Sequence, residues 1–270
     1  MSVPVLLSSS SVFPEPTAAA FELAAKLGYD GVEVMVWTDA VSQDADALRG
    51  LSAHYGVPVR SIHAPCLLVT QRVWSPDPTT RLRRSADLAQ AVGAGTVVVH
   101  PPFTWQREYA RGFSALLDLL GSQYPQLRFA VENMFPVRMA GRELVPYTPG
   151  WDPTEAGYNA YTLDLSHCAA SRADALAMAE IMGERLKHVH LGDGGGVRLR
   201  DEHLVPGRGS QPCAALLRSL PARGFSGTVA IEVSTRRAAS RAVREADLAE
   251  SLAFARTHLS ADRSPTTPPA

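Results

Sequence analysis

The 270-residue sequence has only three cysteines, and Cys66, Cys168 and Cys213 lie far apart. An odd number at wide spacing is no disulfide framework, so a reducing, cytoplasmic compartment is expected. Cys66 and Cys168 lie near candidate ligands but read as small buried hydrophobes. Charge of one sign is also lacking. Twenty-six basic residues against 27 acidic ones leave a formal net charge of −1, so no global basic field attracts nucleic acid. No apolar run reaches membrane-spanning length, and no basic segment followed by an apolar core opens the chain. No membrane partner is expected; composition leaves an oligomer open. Hydrophobic residues at 46% and charged residues at 20% suit an ordinary globular chain, and the length suits one barrel-sized domain.

What the sequence does have is one motif repeated eight times: a short apolar run that stops at a polar group, followed by a loop and an amphipathic segment. Val3 to Leu7 runs into Ser8–Ser11, and Gly31 to Val36 follows. Val59 to Ile62 ends at His63, Thr96 to Val99 at His100, and Arg128 to Val131 at Glu132. Tyr161 to Leu163 ends at Asp164, Leu186 onward at His190, and Thr228 to Ile231 at Glu232. Such β-branched runs suit parallel strands buried on both faces. Between them, Phe113, Leu116, Leu117 and Leu120 mark a helix by i, i+3, i+4, i+7 spacing, as do Leu248, Leu252, Ala255 and Leu259. Residues 79–92 are helical in propensity and stop at Gly93, a good C-cap.

Eight strands alternating with helices predict a (β/α)8 TIM barrel over residues 1–259. A doubly wound open sheet is the alternative, but it would not bring eight polar strand ends to one point. The tail 260–270 reads as disordered. The proline-rich connection 133–158 carries Phe135, Arg138, Arg142, Tyr147, Trp151 and Tyr158 and reads as a lid or a self-packed surface excursion.

The densest stretch is 186–209, LKHVHLGDGGGVRLRDEHLVPGRG. His188 and His190 share one strand face. Asp193, Asp201 and His203 follow around Gly194–Gly196, and Gly207-Arg208-Gly209 closes the stretch. The glycines are either a phosphate cradle after strand 7 or an ordinary turn. Six of the eight histidines, namely His63, His100, His167, His188, His190 and His203, fall at or just after strand ends. A single strand-end histidine is more often structural, and scattered loop histidines are solvated. Here Glu132, Asp164 and Glu232 stand at the same height. Imidazoles with carboxylates at one pocket make a metal-ligand set.

These motifs resemble the xylose isomerase-like barrel superfamily, which includes sugar phosphate isomerases and epimerases and the endonuclease IV family. The matching pieces are His63-Ala64-Pro65, His100-Pro101, Glu132-Asn133, Asp164-Leu165-Ser166-His167, His190-Leu191-Gly192-Asp193, Asp201-Glu202-His203 with Pro206-Gly207-Arg208-Gly209, and Ile231-Glu232. They span nearly the whole chain.

The resemblance implies two competing site designs. In the isomerase design one divalent ion (Mn, Zn or Co) is held by Glu132, Asp164, His190 and Glu232. It would bind adjacent oxygens of a sugar or sugar phosphate and stabilise an enediolate. Glu132 and Glu232 would then move the proton as base and acid, while His188, Arg208, His63 and His100 bind substrate. In the endonuclease IV design up to three zinc ions add His63, His100, His167, Asp201 and His203, and the reaction is phosphodiester hydrolysis. The loop WTDAVSQDADAL, with Asp39, Asp44 and Asp46, presents an acidic rim to a polyanion and counts against DNA. Chains that bind no metal would form a third class, a non-catalytic binding barrel.

Overall fold

The computed structural model describes residues 2–139 and 141–260. Ten strands are present: β1 (Val5–Ser8), β2 (Gly31–Met35), β3 (Val59–His63), β4 (Thr96–Val99), β5 (Arg128–Glu132), β6 (Val137–Met139), β7 (Arg142–Leu144), β8 (Tyr161–Asp164), β9 (Leu186–Leu191) and β10 (Thr228–Ile231). Eight of them close into a parallel barrel in the order β1-β10-β9-β8-β5-β4-β3-β2. β6 and β7 form a separate antiparallel hairpin. No helix among the described residues is long and apolar enough to cross a membrane.

The helices are α1 (Thr17–Leu27), α2 (Ala45–Tyr55), α3 (Pro78–Val92), α4 (Arg107–Gln123), α5 (Leu165–Ser171), α6 (Ala175–Met182), α7 (Cys213–Ala222) and α8 (Arg241–Ser260). Their ends follow local rules. Before α3, Asp77 accepts from Thr80 N at 2.8 Å and Pro78 needs no partner for a missing N–H. Gly93 ends that helix with φ of 74°, where a side chain would be strained. Ser260 belongs to α8 rather than to a tail; residues 261–270 lie outside the described residues.

Strand alternation divides the interior in two. Outward side chains such as Val32, Val34, Val97, Val99, Val131, Leu163, Val189 and Ile231 join Phe21, Leu23, Leu48, Leu82, Phe113 and Leu248 in one continuous core between sheet and helices. Inward side chains are largely polar: Glu33, Ser61, His63, Glu132, Thr162, Asp164, His188 and His190 are all buried. At about 25 cal/mol per Å² the outer shell supplies most of the stabilisation, which leaves the barrel axis free to carry charge.

The acidic rim expected from Asp39, Asp44 and Asp46 is not a free field. Asp39 accepts from Thr17 N and Val41 N, Asp44 caps α2 through Ala47 N at 2.8 Å, and Asp46 pairs with Arg49. Asp39 and Asp44 start helices and satisfy orphan amides, and Asp46 is an exposed partner of Arg49. The 133–158 connection is more ordered than its composition suggests. It holds the β6–β7 hairpin, a short 3-10 turn at Thr154–Ala156, and a small cluster of Phe103, Met134 and Tyr147 with Trp151 packed on it.

Candidate metal centre

The strand ends build the site in layers. β5, β8 and β9 end side by side, with Glu132 paired to Thr162 and Asp164 paired to His190 in register. Glu232 follows β10 on the other side of His190. His190 Nδ1 therefore meets three carboxylates: Glu132 Oε1 at 2.8 Å, Glu232 Oε2 at 2.9 Å and Asp164 Oδ2 at 3.6 Å. His63 Nε2 and His100 Nε2 approach the other oxygen of Glu132, at 3.4 and 3.0 Å.

A third group lies towards the mouth. His203 Nε2 is 2.8 Å and His167 Nε2 3.5 Å from Asp201 Oδ2, and Ser166 Oγ donates to Asp201 Oδ1. Ligand atoms of Asp164, His167 and His203 all lie within 4.8 Å of one another. The same holds for His63, His100 and Glu132, and for Glu132, Asp164, His190 and Glu232. All nine positions implied by the resemblance thus meet in one cluster, with Asp201 and His203 half-buried at its mouth and Glu132 and Asp164 each shared between groups.

The electrostatics fit a divalent cation. One imidazole hydrogen at Nδ1 can satisfy only one of three carboxylates. Asp164 Oδ2 and Glu132 Oε2 are buried without a hydrogen bond of good geometry, as is His100 Nδ1. Such orphans are costly unless something else binds them. Burial would raise the Glu132 carboxyl, but His190, His100 and His63 outweigh it and hold it well below its usual range. Burial likewise opposes charge on Glu232, and His190 overrides it, bringing the carboxyl down to about 2. The same partners drive the His190 ring well above its ordinary value against its own desolvation. Desolvation also opposes charge on His167, yet Asp164 and Asp201 push it up to about 10. His100 goes the other way: burial lowers it, and Glu132 recovers only part. A carboxylate-rich set with imidazoles suits Zn or Mn among others.

Residues 21–258 match the family described as xylose isomerase-like TIM barrel. The chain belongs to that family. Among curated relatives of this xylose isomerase-like barrel, an uncharacterised Mycobacterium tuberculosis protein is 50% identical over 276 residues, covering 95% of this chain and 98% of that one. Fructoselysine 3-epimerase of Escherichia coli O157:H7 is 22% identical over 254 residues, covering 82% of this chain and 86% of the enzyme. Among solved structures, the IOLI protein with a bound zinc atom superposes with a TM-score of 0.69 at 15% identity, covering 96% of this chain and 98% of that one.

In this family member two expected substrate contacts fall elsewhere. His188 is completely buried, with Nε2 2.8 Å from Glu33 Oε2 and Nδ1 2.7 Å from Thr228 Oγ1. It shares the inward face with His190 but sits two residues lower, about 6.6 Å down the strand, beneath the ligands. Arg208 turns outward and pairs with Asp247 at 2.8 Å and Glu250 at 2.5 Å on α8. The glycine cradle is occupied by the chain itself. Asp193 Oδ2 accepts from Gly207 N at 2.9 Å and Gly209 N at 3.1 Å, while Oδ1 accepts from Gly194 N at 2.8 Å and Gln211 N at 3.0 Å. A Cβ at Gly209 would collide with that carboxylate. The amides that a phosphate would need are already bonded to an internal anion.

The residues that sequence reasoning missed are Glu33, Ser61 and Thr228. Glu33 is a lone carboxylate between Val32 and Val34 in an otherwise apolar strand, a signal that marks the residue without saying which way it faces.

Proposed function

We propose that this barrel is a divalent-metal-dependent isomerase or epimerase of a sugar-like hydroxy-carbonyl compound. The observation that carries the reading is the convergence of Glu132, Asp164 and Glu232 on His190 Nδ1. Glu132, Asp164, His190 and Glu232 would hold the ion, which supplies Lewis-acid polarisation of a substrate carbonyl when bound. The chain's own residues do the rest. Glu132 and Glu232 come from strands on either flank of the β8–β9 pair, so their carboxylates face a substrate from opposite sides. Both are ionised by their imidazole neighbours and can accept the acidic C–H proton beside the carbonyl. Return of that proton by the same carboxylate to the neighbouring carbon, with the adjacent hydroxyl proton passing to the former carbonyl oxygen, gives isomerisation. Delivery to the other face by the opposite glutamate, once it carries a proton, gives epimerisation. Ser10 Oγ–H donates to Glu232 Oε1 at 3.0 Å and orients it. Membership of the family and the match to an epimerase along most of its length support the same chemistry.

Asp193's occupation of the glycine amides favours substrates without a phosphate. The test is solvent exchange. Manganese- or zinc-loaded protein is incubated in D2O with a panel of free ketoses and ketose adducts, and deuterium at the carbon beside the carbonyl is read by NMR. Exchange that disappears in Glu132→Gln supports the assignment; full exchange in that variant sinks it.

A second reading, phosphodiester hydrolysis, is favoured by one observation: Asp201, His203 and His167 complete a third ligand group beside Asp164. Cleavage of a small phosphodiester by the zinc-loaded protein would put it first, and incision of a duplex with one abasic site would extend it to DNA.

A further inference from the structure

Glu33 is a charged side chain inside the barrel with no exposure to solvent. It sits on the inward face of β2 and is completely buried. An ionised carboxylate there is costly unless its lone pairs are filled. Each oxygen has a hydrogen-bond partner: Ser61 Oγ donates to Oε2 at 2.8 Å and His190 Nε2 lies 3.0 Å from Oε1, while His188 Nε2 sits 2.8 Å from Oε2 as a charge contact without hydrogen-bond geometry. His188 is braced in turn by Thr228 Oγ1 at its other nitrogen. The floor of the barrel is thus a chain of side chains from β2, β3, β9 and β10 that ends at one nitrogen of His190.

The two nitrogens of His190 have different neighbours. Nε2 faces Glu33, whereas Nδ1 faces Glu132, Asp164 and Glu232. A neutral imidazole carries its hydrogen on one nitrogen and a lone pair on the other, and the bond made by one decides the state of its partner. An ionised carboxylate only accepts. Glu33 therefore keeps the Nε2 hydrogen, and a cation that displaces the Nδ1 hydrogen from among the three upper carboxylates meets the Nδ1 lone pair.

We propose that Glu33 is a positioning residue. It fixes the ring angle and tautomer of His190 and so presents Nδ1 as a ligand, with Ser61 and His188 holding the carboxylate in place. This rests on the metal reading of the upper cluster. In this role Glu33 would touch neither the ion nor the substrate; it acts through His190, and partners of this kind raise ligand basicity.

The test uses the full chain, zinc, and 15N-labelled histidine. The neutral variant Glu33→Gln can turn its amide NH2 to His190 Nε2 and so favour the wrong tautomer. Zinc affinity, read by competition with a chelating dye, is expected to fall about 10- to 100-fold. In the zinc-loaded wild type the His190 resonances should show Nε2–H with a metal-bound Nδ1, and Glu33→Gln should shift or lose the Nε2–H signal. A folded variant with affinity within about threefold of wild type and an unchanged Nε2–H signal would overturn the proposal. If Glu33→Gln does not fold, Ser61→Ala takes its place. It removes one brace from Oε2 and should weaken zinc several-fold with a shifted His190 signal; no change in either overturns the proposal equally. A wild type that binds no zinc would instead defeat the metal reading. The His190–Glu33 bond is then judged from the metal-free spectra of wild type and variant, where an unshifted Nε2 resonance in Glu33→Gln rejects it.

Discussion

Asn133 and Asp164 bind each other twice across neighbouring strand ends. Asp164 N donates to Asn133 Oδ1 at 2.7 Å, and Asn133 Nδ2 donates to Asp164 O at 3.0 Å. The pair clamps the two strands that deliver Glu132 and Asp164, and both residues are buried. Asn133→Ala would strip these two hydrogen bonds and a third from Nδ2 to Cys168 Sγ, and leave a buried amide without a partner. The expected cost is about 2–3 kcal/mol, a fall in Tm of roughly 4–12 °C for a chain of this size. A thermal melt that moves by less than 2 °C would contradict the clamp.

Asp193 acts as the chain's own anion in the glycine turn. Phosphate and phosphorylated ketoses are therefore expected to give no thermal stabilisation of the wild type, while unphosphorylated ketoses give a measurable shift in the metal-loaded protein. Asp193→Ala releases four backbone N–H groups and should destabilise the chain by about 3 kcal/mol or more. Equal stabilisation by a ketose and its phosphate ester would count against an occupied cradle.

Arg198 in the 194–211 loop pairs with Glu143 of the β6–β7 hairpin, Nε to Oε2 at 2.9 Å. The loop is also anchored on α5 through Leu199 N to Ala170 O at 2.8 Å. Both charged side chains are more than a third exposed, so the pair contributes under about 1 kcal/mol to global stability. Its expected effect is local. Arg198→Ala should leave Tm within a few degrees while trypsin cuts faster at Arg142 and Arg200, because the hairpin and the loop no longer restrain each other. Unchanged cleavage rates would rule out a latch.

The thiols should be slow nucleophiles. Burial pushes the Cys66 thiol up to about 11, against a partial offset from the His100 amide, and raises Cys168 and Cys213 as well. Only the thiolate reacts. Below its pKa the thiolate fraction of Cys66 grows about tenfold per pH unit. Alkylation of native protein by iodoacetamide, followed by mass spectrometry, should therefore be far slower than for a free cysteine at pH 7.5 and rise steeply to pH 9.5. Fast labelling at neutral pH would show an activated thiol instead.

The site was legible in the sequence wherever chemistry sits at a strand end. His63, Glu132, Asp164, His190 and Glu232 each close a β-branched run, and parallel strands of a closed barrel bring their C-terminal ends to one place. The Gly93 cap and the apolar spacing of α4 and α8 were equally local signals. His188 was misread because the period of two reports the face of a strand and not the depth along it. Glu33 was missed because a single carboxylate in a strand looks the same whether it faces water or the barrel axis. Arg208 was placed in the pocket by its neighbours in sequence, whereas its long side chain reaches α8.

Composition and pattern by themselves determined the number of barrel strands, their parallel pairing and the polar residue types at their ends, since these depend on alternation, β-branching and capping within a few residues, but not the antiparallel β6–β7 hairpin. Only the tertiary structure decided which nitrogen of His190 faces which carboxylate, that Asp193 fills the glycine turn, and that Glu33 lies beneath the candidate metal ligands. Those relationships join residues up to 157 positions apart. They are set by strand stagger and barrel closure, and no local periodicity encodes them.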